Sequence, residues 1–430
     1  MSIFELIATL VALAALFAFV NVHYLKLPST IGLMLLALAL SGAVMLLSFG
    51  VPELLETARS ILLNYDFSAV LLDVMLSFLL FAGALEVNLR KLREERWPIL
   101  LLATAGVLLS TVVVGVLAYA ILPVLGLQID FVYCLLFGAL IAPTDPIAVL
   151  AMIRKSDTSI PKTLETKIAG ESLFNDGIGV VIFLTILSVV QEGVGSVDPL
   201  GVLSLFATEA LGGILFGAVL GYFGFVVLRY IDNEHVELEV LVTLAMVLAG
   251  TQVAHALHVS APLAMVVMGI FVGHSGRPAY MAEVAGSYVH KFWHVVDEAL
   301  NAILFLLIGL EVLIIPWTLN YVYFGVAAIF IVVLGRLAGV GVPISMMRLY
   351  RSFEQGTVRI LTWGGLKGGI SVALALSLPD IPEKDLFVTA TYSVVVFSVV
   401  VQGMTVSSLF DFVVGGPDEE VATAQAQTAS

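Results

Sequence analysis

The segment FLLFAGALEV (residues 78–87) returns late in the chain as FLLIGLEV (residues 305–312). Each copy lies in an apolar run that is long enough to cross a hydrocarbon core of ~30 Å as a helix. Similar runs fill most of the 430 residues, of which 60% are hydrophobic and 12% are charged. Because soluble chains carry roughly 25% charged residues, the sequence predicts an all-α polytopic membrane protein.

The apolar runs predict about 13 transmembrane helices. They lie near residues 3–22, 28–49, 67–88, 98–122, 131–152, 165–190, 201–228, 237–257, 260–275, 292–314, 320–343, 357–378 and 386–411. Residues 51–66 are interpreted as a polar connection. Residues 415–430 are interpreted as a short disordered cytoplasmic tail. We therefore expect residues 1–414 to form a single transmembrane unit.

The basic residues predict the orientation of these spans, because Lys and Arg collect in cytoplasmic loops. Of the 19 basic residues, two (Arg59 and Lys384) lie in loops of one parity and two (Arg336 and Lys367) lie inside spans. The other 15, which is 19 minus four, lie at loops of the opposite parity. This distribution predicts a protein of the cell (inner) membrane with its N-terminus outside and its C-terminus in the cytoplasm.

The repeated segment indicates internal symmetry, since its two copies lie in the third and tenth spans. A weaker similarity links LPSTIGLMLLALALSG (27–42) to VSAPLAMVVMGIFVG (259–273) at the same offset of seven spans. Seven is odd, so the partners cross the membrane in opposite directions, as in inverted-topology repeats of transporters. Chance matches between apolar segments are the alternative. The repeats would be two six-helix units at about residues 3–190 and 237–411, joined by a connector helix at about 201–228.

Two spans carry helix-breaking residues at corresponding places. GALIAPTDPIAVL (138–150) has two prolines around Thr144 and Asp145, and WGGLKGGIS (363–371) has four glycines around Lys367. Proline removes a donor from the helical hydrogen-bond ladder, and transporters place their sites on such discontinuous helices. A simple kink and close glycine packing are structural alternatives. A charge at the bilayer centre costs ~2.5–3.5 kcal/mol, which favours a functional interpretation.

The densest polar segment inside a span is GESLFNDG (170–177). Glu171 lies four residues before Asn175. Ser172 lies four residues before Asp176, so all four side chains lie on one side of a helix. Carboxylate, amide and hydroxyl oxygens, with carbonyls freed at the proline break, can replace the water shell of an alkali cation. Because a lone carboxylate binds either a proton or a cation, this cluster predicts an antiporter.

A second charge inside the membrane requires a partner. Arg336 lies in the middle of the eleventh span and stays charged at physiological pH. Glu171 is its natural partner, which leaves Asp176 free to titrate. We favour a structural role for this pair, which would hold the sixth and eleventh spans together.

The motifs APTDP (142–146), ESLFNDG (171–177) and WGGLKGG (363–369), with Arg336 between the last two, closely resemble the cation/proton antiporter family. The similarity covers nearly the whole chain and is to the sodium/proton exchanger branch with an Asn-Asp motif. The resemblance implies a homodimer with thirteen helices per protomer and crossed discontinuous helices at the fifth and twelfth spans.

Carried over by position, the resemblance makes Asp176 the site of the exchanged cation and proton. It implies further contributions to this site from Asn175, Asp145, Thr144 and Ser172. Glu171 and Arg336 resemble the family's structural ion pair.

Three other charged residues are placed by the resemblance. Glu86 resembles an acidic residue near the ion path of some members, with an ordinary interfacial carboxylate as the alternative. Its repeat counterpart, Glu311, is expected on the other side of the membrane. Lys367 carries the charge of the second broken helix, where many relatives have arginine.

The resemblance implies a secondary active transporter that exchanges Na⁺ (or Li⁺) for H⁺ by alternating access, in pH and sodium homeostasis. Asn175 is similar to the branch regarded as electroneutral, with one cation for one proton. The partners would be these ions and the lipid bilayer, with no cofactor and no nucleic acid. A K⁺/H⁺ antiporter remains open, as does a cation channel. An enzyme is not expected, because the chain lacks H-E-x-x-H and G-x-S-x-G motifs.

Overall fold

The computed structural model describes residues 3–63, 67–153, 160–193, 198–231, 236–273 and 285–414. These ranges are helical and contain no β-strand. The expected tail at 415–430 lies outside them. In chain order the helices are α1 (Ile3–Val20, continued by a π-helical turn at Asn21–Leu25), α2 (Ser29–Leu47), α3 (Pro52–Leu63), α4 (Leu76–Glu86, preceded by helical turns at Phe67–Val70 and Leu71–Met75), α5 (Leu89–Glu94), α6 (Arg96–Leu125), α7 (Phe131–Leu140), α8 (Pro146–Ile153), α9 (Lys162–Glu192), α10 (Pro199–Tyr230), α11 (Val236–Ala256), α12 (Ala261–Gly273), α13 (Ala285–Glu311), α14 (Leu319–Met347), α15 (Thr357–Trp363), α16 (Gly369–Leu376) and α17 (Lys384–Val414).

The predicted class of fold is confirmed: this is an all-helical, multi-pass membrane protein. Nine helices within the described ranges are long and apolar enough to cross a membrane, and α4, α7 and α12 are shorter apolar helices. Helix is present in every one of the predicted spans.

The connection between the second and third spans is helical, which the sequence did not predict. Residues 51–66, interpreted as a polar connection, contain the helix α3. Leu55, Ala58 and Leu62 recur at helical spacing and pack into the apolar cluster formed with α1, α2 and α13. The charged side chains of this segment lie on the opposite face of the helix. They lower the average hydropathy, but the apolar residues still recur at helical spacing.

The fifth and twelfth spans are interrupted, as the sequence predicted. The fifth consists of α7 and α8, and the twelfth consists of α15 and α16. Pro146 begins α8, where a missing N–H costs nothing because the first turn has no helical acceptor for it. The two breaks meet in the interior of the protein, where the Asp145 backbone N–H donates to the Leu366 carbonyl at 2.8 Å.

Two glycines in the second break allow this close crossing. A Cβ atom at Gly368 would lie 2.9 Å from the Asp145 Cβ, and one at Gly365 would lie 2.3 Å from the Arg336 Nε. Any larger residue would push the second break away from the first or displace the guanidinium. The glycines therefore set the distance at which the two interrupted spans pack.

Candidate cation-binding site

A cavity of about 370 Å³ lies between α4, α9, α13 and the two breaks. It extends from the break residues to the exposed residues Glu86 and Asn88 at the end of α4. Its lining carries one basic side chain, Lys91, and several acidic ones, which are Glu86, Asp145, Glu165, Asp176 and Asp297. Such a lining attracts cations and repels anions.

Asp176 projects from the middle of α9 into this cavity. The residue is 6% exposed, and its Oδ1 atom has no hydrogen-bond partner within the described ranges. A buried carboxylate oxygen without a donor is costly. A proton or a cation would each relieve that cost.

Asn175 connects α9 to the first break. Its Nδ2 donates to the Thr144 Oγ1 at 2.7 Å and to the Glu171 Oε1 at 3.1 Å. The Thr144 backbone N–H donates to the Asn175 Oδ1 at 3.4 Å. Because the amide satisfies a backbone donor freed at the break, Asn175 holds the break against α9.

Ser172 lies one turn before Asn175 and contacts the same residue of the break. Its hydroxyl donates to the Thr144 carbonyl. The Thr144 Oγ1 lies 3.4 Å from the Ser172 Oγ. Both oxygens are therefore engaged within the protein, and a cation at Asp176 would compete with these contacts.

One carboxylate oxygen of Asp145 caps the first turn of α8. Its Oδ1 accepts from the Ile147 backbone N–H at 2.8 Å, which satisfies one of the free donors of the first turn. The residue is half-buried and lines the cavity. The structure thus brings Asp145 and Asp176, which belong to different spans, into one cavity.

Glu171 points away from the cavity and forms an ion pair with Arg336. Nη1 of the guanidinium lies 2.6 Å from Oε1 and Nη2 lies 2.7 Å from Oε2. The Arg336 Nε donates to the Leu361 carbonyl at 3.2 Å, in α15. The pair therefore links α9, α14 and α15.

Lys367, the charge of the second break, contacts backbone oxygens of the first. Its Nζ donates to the Ala142 carbonyl at 2.9 Å and to the Pro143 carbonyl at 3.2 Å. These carbonyls lie beyond the end of α7 and have no helical N–H to accept from. The cationic side chain thus supplies a donor to two carbonyls that the interrupted helix leaves without one.

Glu86 lies at the mouth of the cavity and outside the cluster around Asp176. Its side chain is 61% exposed, and the His294 Nδ1 lies 3.3 Å from its Oε1. Glu311, its counterpart in the repeated segment, also ends a helix but is buried, and the Tyr392 hydroxyl donates to it. His294 of α13 meets the last residue of α4, and Leu304, further along α13, lies beside Leu76 at the start of α4, so the two helices run antiparallel.

Several polar residues of the cavity lining were not predicted from the sequence, among them Asp297, Asn301 and Ser371. The Asn301 Nδ2 donates to the Asp297 Oδ1 at 3.2 Å. Asp297 and Asn301 are four residues apart within a span, which is the spacing that identified the α9 cluster, so this pair could have been found. A single serine in an apolar helix gives no comparable signal.

A group of charged side chains lies near the start of α9, on the side of the protein that carries the loops rich in Lys and Arg. The Lys167 Nζ lies 2.9 Å from the Glu354 Oε2 and 3.8 Å from the Glu95 Oε2. Glu354 also accepts from the Thr163 hydroxyl. Partial burial raises the pKa of Glu354, but the bonds from Thr163 and Lys167 outweigh it and lower that pKa to about 2.

Comparisons with known proteins identify a family and individual relatives of this chain. A family model described as the transmembrane sodium/hydrogen exchanger matches residues 10–411. The chain is 49% identical over 410 residues to the Na⁺/H⁺ antiporter NhaP of Pseudomonas aeruginosa, covering 94% of this chain and 96% of that protein. It is 35% identical over 393 residues to the Na⁺/H⁺ antiporter NhaH of Halobacillus dabanensis, covering 90% and 92%.

The fold is similar to a solved structure as well. The sodium proton antiporter MjNhaP1 from Methanocaldococcus jannaschii superposes with a TM-score of 0.73 at 21% identity, covering 96% of this chain and 98% of that one.

Proposed function

Because this chain belongs to the sodium/hydrogen exchanger family, we propose that it is a secondary active transporter that exchanges Na⁺ (or Li⁺) for H⁺ by alternating access. It is a transporter and not an enzyme. The K⁺/H⁺ alternative receives no support, since the relatives described above are named as Na⁺/H⁺ antiporters. The same relatives argue against a cation channel, which would dissipate gradients without exchange.

The observation that carries the mechanism is the unpartnered Oδ1 of Asp176 in an acidic cavity. The empty carboxylate is charged in a region of low dielectric constant, so moving it across the barrier is unfavourable. Binding of either Na⁺ or H⁺ neutralises it. Only the loaded forms then change sides, which makes exchange obligatory.

We assign the neighbouring residues by their contacts. Thr144 and Asp145 line the cavity together with Asp176. Asn175 and Ser172 contact Thr144 from the same helix as Asp176, and we assign their amide and hydroxyl oxygens to the site as well. Glu171 and Arg336 hold α9 and α14 together, and Lys367 neutralises the first break. Glu86 attracts cations at the mouth.

We propose electroneutral exchange, with one cation for one proton. Asn175 is uncharged, and Glu171 is paired with Arg336. Asp176 then carries the exchanged charge in both directions of the cycle.

We also propose the orientation and assembly implied by the sequence. If the loops rich in Lys and Arg are cytoplasmic, the mouth beside Glu86 and Lys91 opens to the cytoplasm and the structure is inward-facing. The antiparallel packing of α4 and α13 supports inverted repeats at about residues 3–190 and 237–411. The proposed location is the inner membrane, with the protein as a homodimer, which chemical crosslinking in native membranes would test.

The function is tested by proton flux in sealed proteoliposomes under a pH gradient, with Na⁺, Li⁺ and K⁺ added in turn. Na⁺ and Li⁺ should collapse the gradient in the wild type, and Asp176→Asn should abolish this response. Asp198→Asn is the matched control, because Asp198 is exposed and caps α10. A gradient that Na⁺ leaves intact in the wild type, or equal activity of Asp176→Asn, would refute the proposal.

A further inference from the structure

Ser371 lies in the first turn of α16, directly after the second break. The residue is fully buried, and its hydroxyl oxygen has no hydrogen-bond partner within the described ranges. An unsatisfied buried polar group costs about 1–3 kcal/mol. A serine in this position therefore requires an explanation that packing does not give.

The missing hydrogen bond follows from the position of Ser371 after the break. Many hydroxyls inside the helices of this chain donate to a carbonyl three or four residues earlier, as Thr185 does to Val181 and Ser393 does to Thr389. A few, such as those of Ser77 and Thr391, have no partner within the described ranges. Four residues before Ser371 is Lys367, which precedes the extended residue Gly368 and lies outside any helix. The usual acceptor is therefore absent.

The position of this hydroxyl indicates what could use it. Several buried side-chain oxygens in the described ranges lack partners, but two of these belong to residues that line the cavity: Asp176 and Ser371. Gly368 packs against Asp145 and brings the start of α16 beside the proposed site. Asp176 and Ser371 thus belong to the lining of one cavity, and each carries a buried oxygen without a hydrogen-bond partner in the described part of the chain.

We propose that the Ser371 hydroxyl is a direct ligand of the transported cation, an inference that rests on the proposed function. Its oxygen lone pairs are available without breaking an existing contact. In contrast, the Asn175 Oδ1 accepts from the Thr144 backbone N–H, and the Thr144 Oγ1 accepts from the Asn175 Nδ2. The second broken span then contributes a ligand of its own, in addition to the charge of Lys367.

An opposing electrostatic effect is present but smaller. The start of a helix carries a partial positive charge of roughly +0.5, which disfavours a cation beside α16. When both are ionised, the carboxylates of Asp145 and Asp176 together carry four times that charge with the opposite sign. A cation is therefore still attracted to the site. The Ser371 hydroxyl can direct its oxygen toward that cation.

The first test compares Ser371→Ala with Ser77→Ala in proteoliposomes. Ser77 is also buried with an unpartnered hydroxyl, but it does not line the cavity. Ser371→Ala should raise the half-saturating Na⁺ concentration about tenfold, the effect of losing one favourable contact. The maximal rate at saturating Na⁺ should fall less than twofold. Ser77→Ala should leave the half-saturating concentration within twofold of the wild type.

The second test replaces the hydroxyl by a thiol, which binds soft metals. Ser371→Cys should become sensitive to inhibition by Cd²⁺, and excess Na⁺ should protect it. The wild type, whose only cysteine is the buried Cys134, and Ser77→Cys should remain insensitive. An unchanged half-saturating Na⁺ concentration in Ser371→Ala, or no Cd²⁺ inhibition of an active Ser371→Cys protein, overturns the proposal. Loss of exchange in the wild type would instead refute the proposed function.

Discussion

The guanidinium of Arg336 meets the carboxylate of Glu171 edge to edge, and both carboxylate oxygens accept a hydrogen bond. The two residues are at most 8% exposed. Burial removes the water that would otherwise stabilise each charge, so each depends on the other.

Breaking this pair should destabilise the protein strongly. Glu171→Ala leaves a buried arginine that cannot lose its proton, and we expect the free energy of unfolding to fall by about 3–5 kcal/mol. This loss of stability can be measured by unfolding the protein in mixed micelles with an increasing fraction of SDS. The double variant Glu171→Ala/Arg336→Ala should lose less than the sum of the two single variants. Additive losses would show that the pair is not coupled.

Asn175→Asp should alter the charge moved per cycle. An ionised aspartate cannot donate to Thr144 or Glu171 as the amide does, and it adds another carboxylate next to Asp176. We expect exchange to become sensitive to a membrane potential imposed with valinomycin and K⁺. Asn301→Asp places a carboxylate elsewhere in the same cavity and should not show this sensitivity. Voltage-insensitive exchange in an active Asn175→Asp protein would contradict the prediction.

Glu354 should contribute stability that acid removes. Its pKa in the folded protein, about 2, lies below its ordinary value of 4.5. The contribution is therefore complete above pH 4.5 and is lost as the pH falls toward 2. We expect the melting temperature of the wild type to fall more steeply across this window than that of Glu354→Gln. Parallel pH profiles for the wild type and Glu354→Gln would contradict this prediction. Glu56→Gln, at an exposed site, serves as the control.

Gly368→Ala should impair transport by moving Asp145. The added methyl group would lie 2.9 Å from the Asp145 Cβ and 3.1 Å from its Oδ2. We expect the maximal rate of Na⁺-dependent proton flux to fall at least tenfold. An increase of about 1.4 kcal/mol in the activation free energy is enough for that change. Gly42→Ala, with no atom within 4 Å of the new methyl group, should transport normally. A fully active Gly368→Ala protein would show that the close crossing is not needed.

Much of the fold could be predicted because its signals are local. Two prolines and four glycines interrupt otherwise apolar runs, and the structure places a break at each. Glu171 and Arg336 could be matched from sequence because an uncompensated charge inside a membrane requires a partner.

Other features depend on contacts that sequence does not display. Lys367 binds two carbonyls of another span, and backbone acceptors are not encoded by residue type. Ser371 is distinguished by its place in the cavity lining, which a serine in an apolar helix does not reveal in the sequence. The helix α3 was missed because its charged face dominated the composition.

The hydrogen bond from the Asp145 N–H to the Leu366 carbonyl has a consequence for how such proteins diverge. It joins the two breaks through main-chain atoms, which every substitution except proline at position 145 preserves. Ligating side chains around it can therefore be exchanged while the crossing of the chain persists. Selection, or a protein engineer, can alter ion preference at this point one side chain at a time.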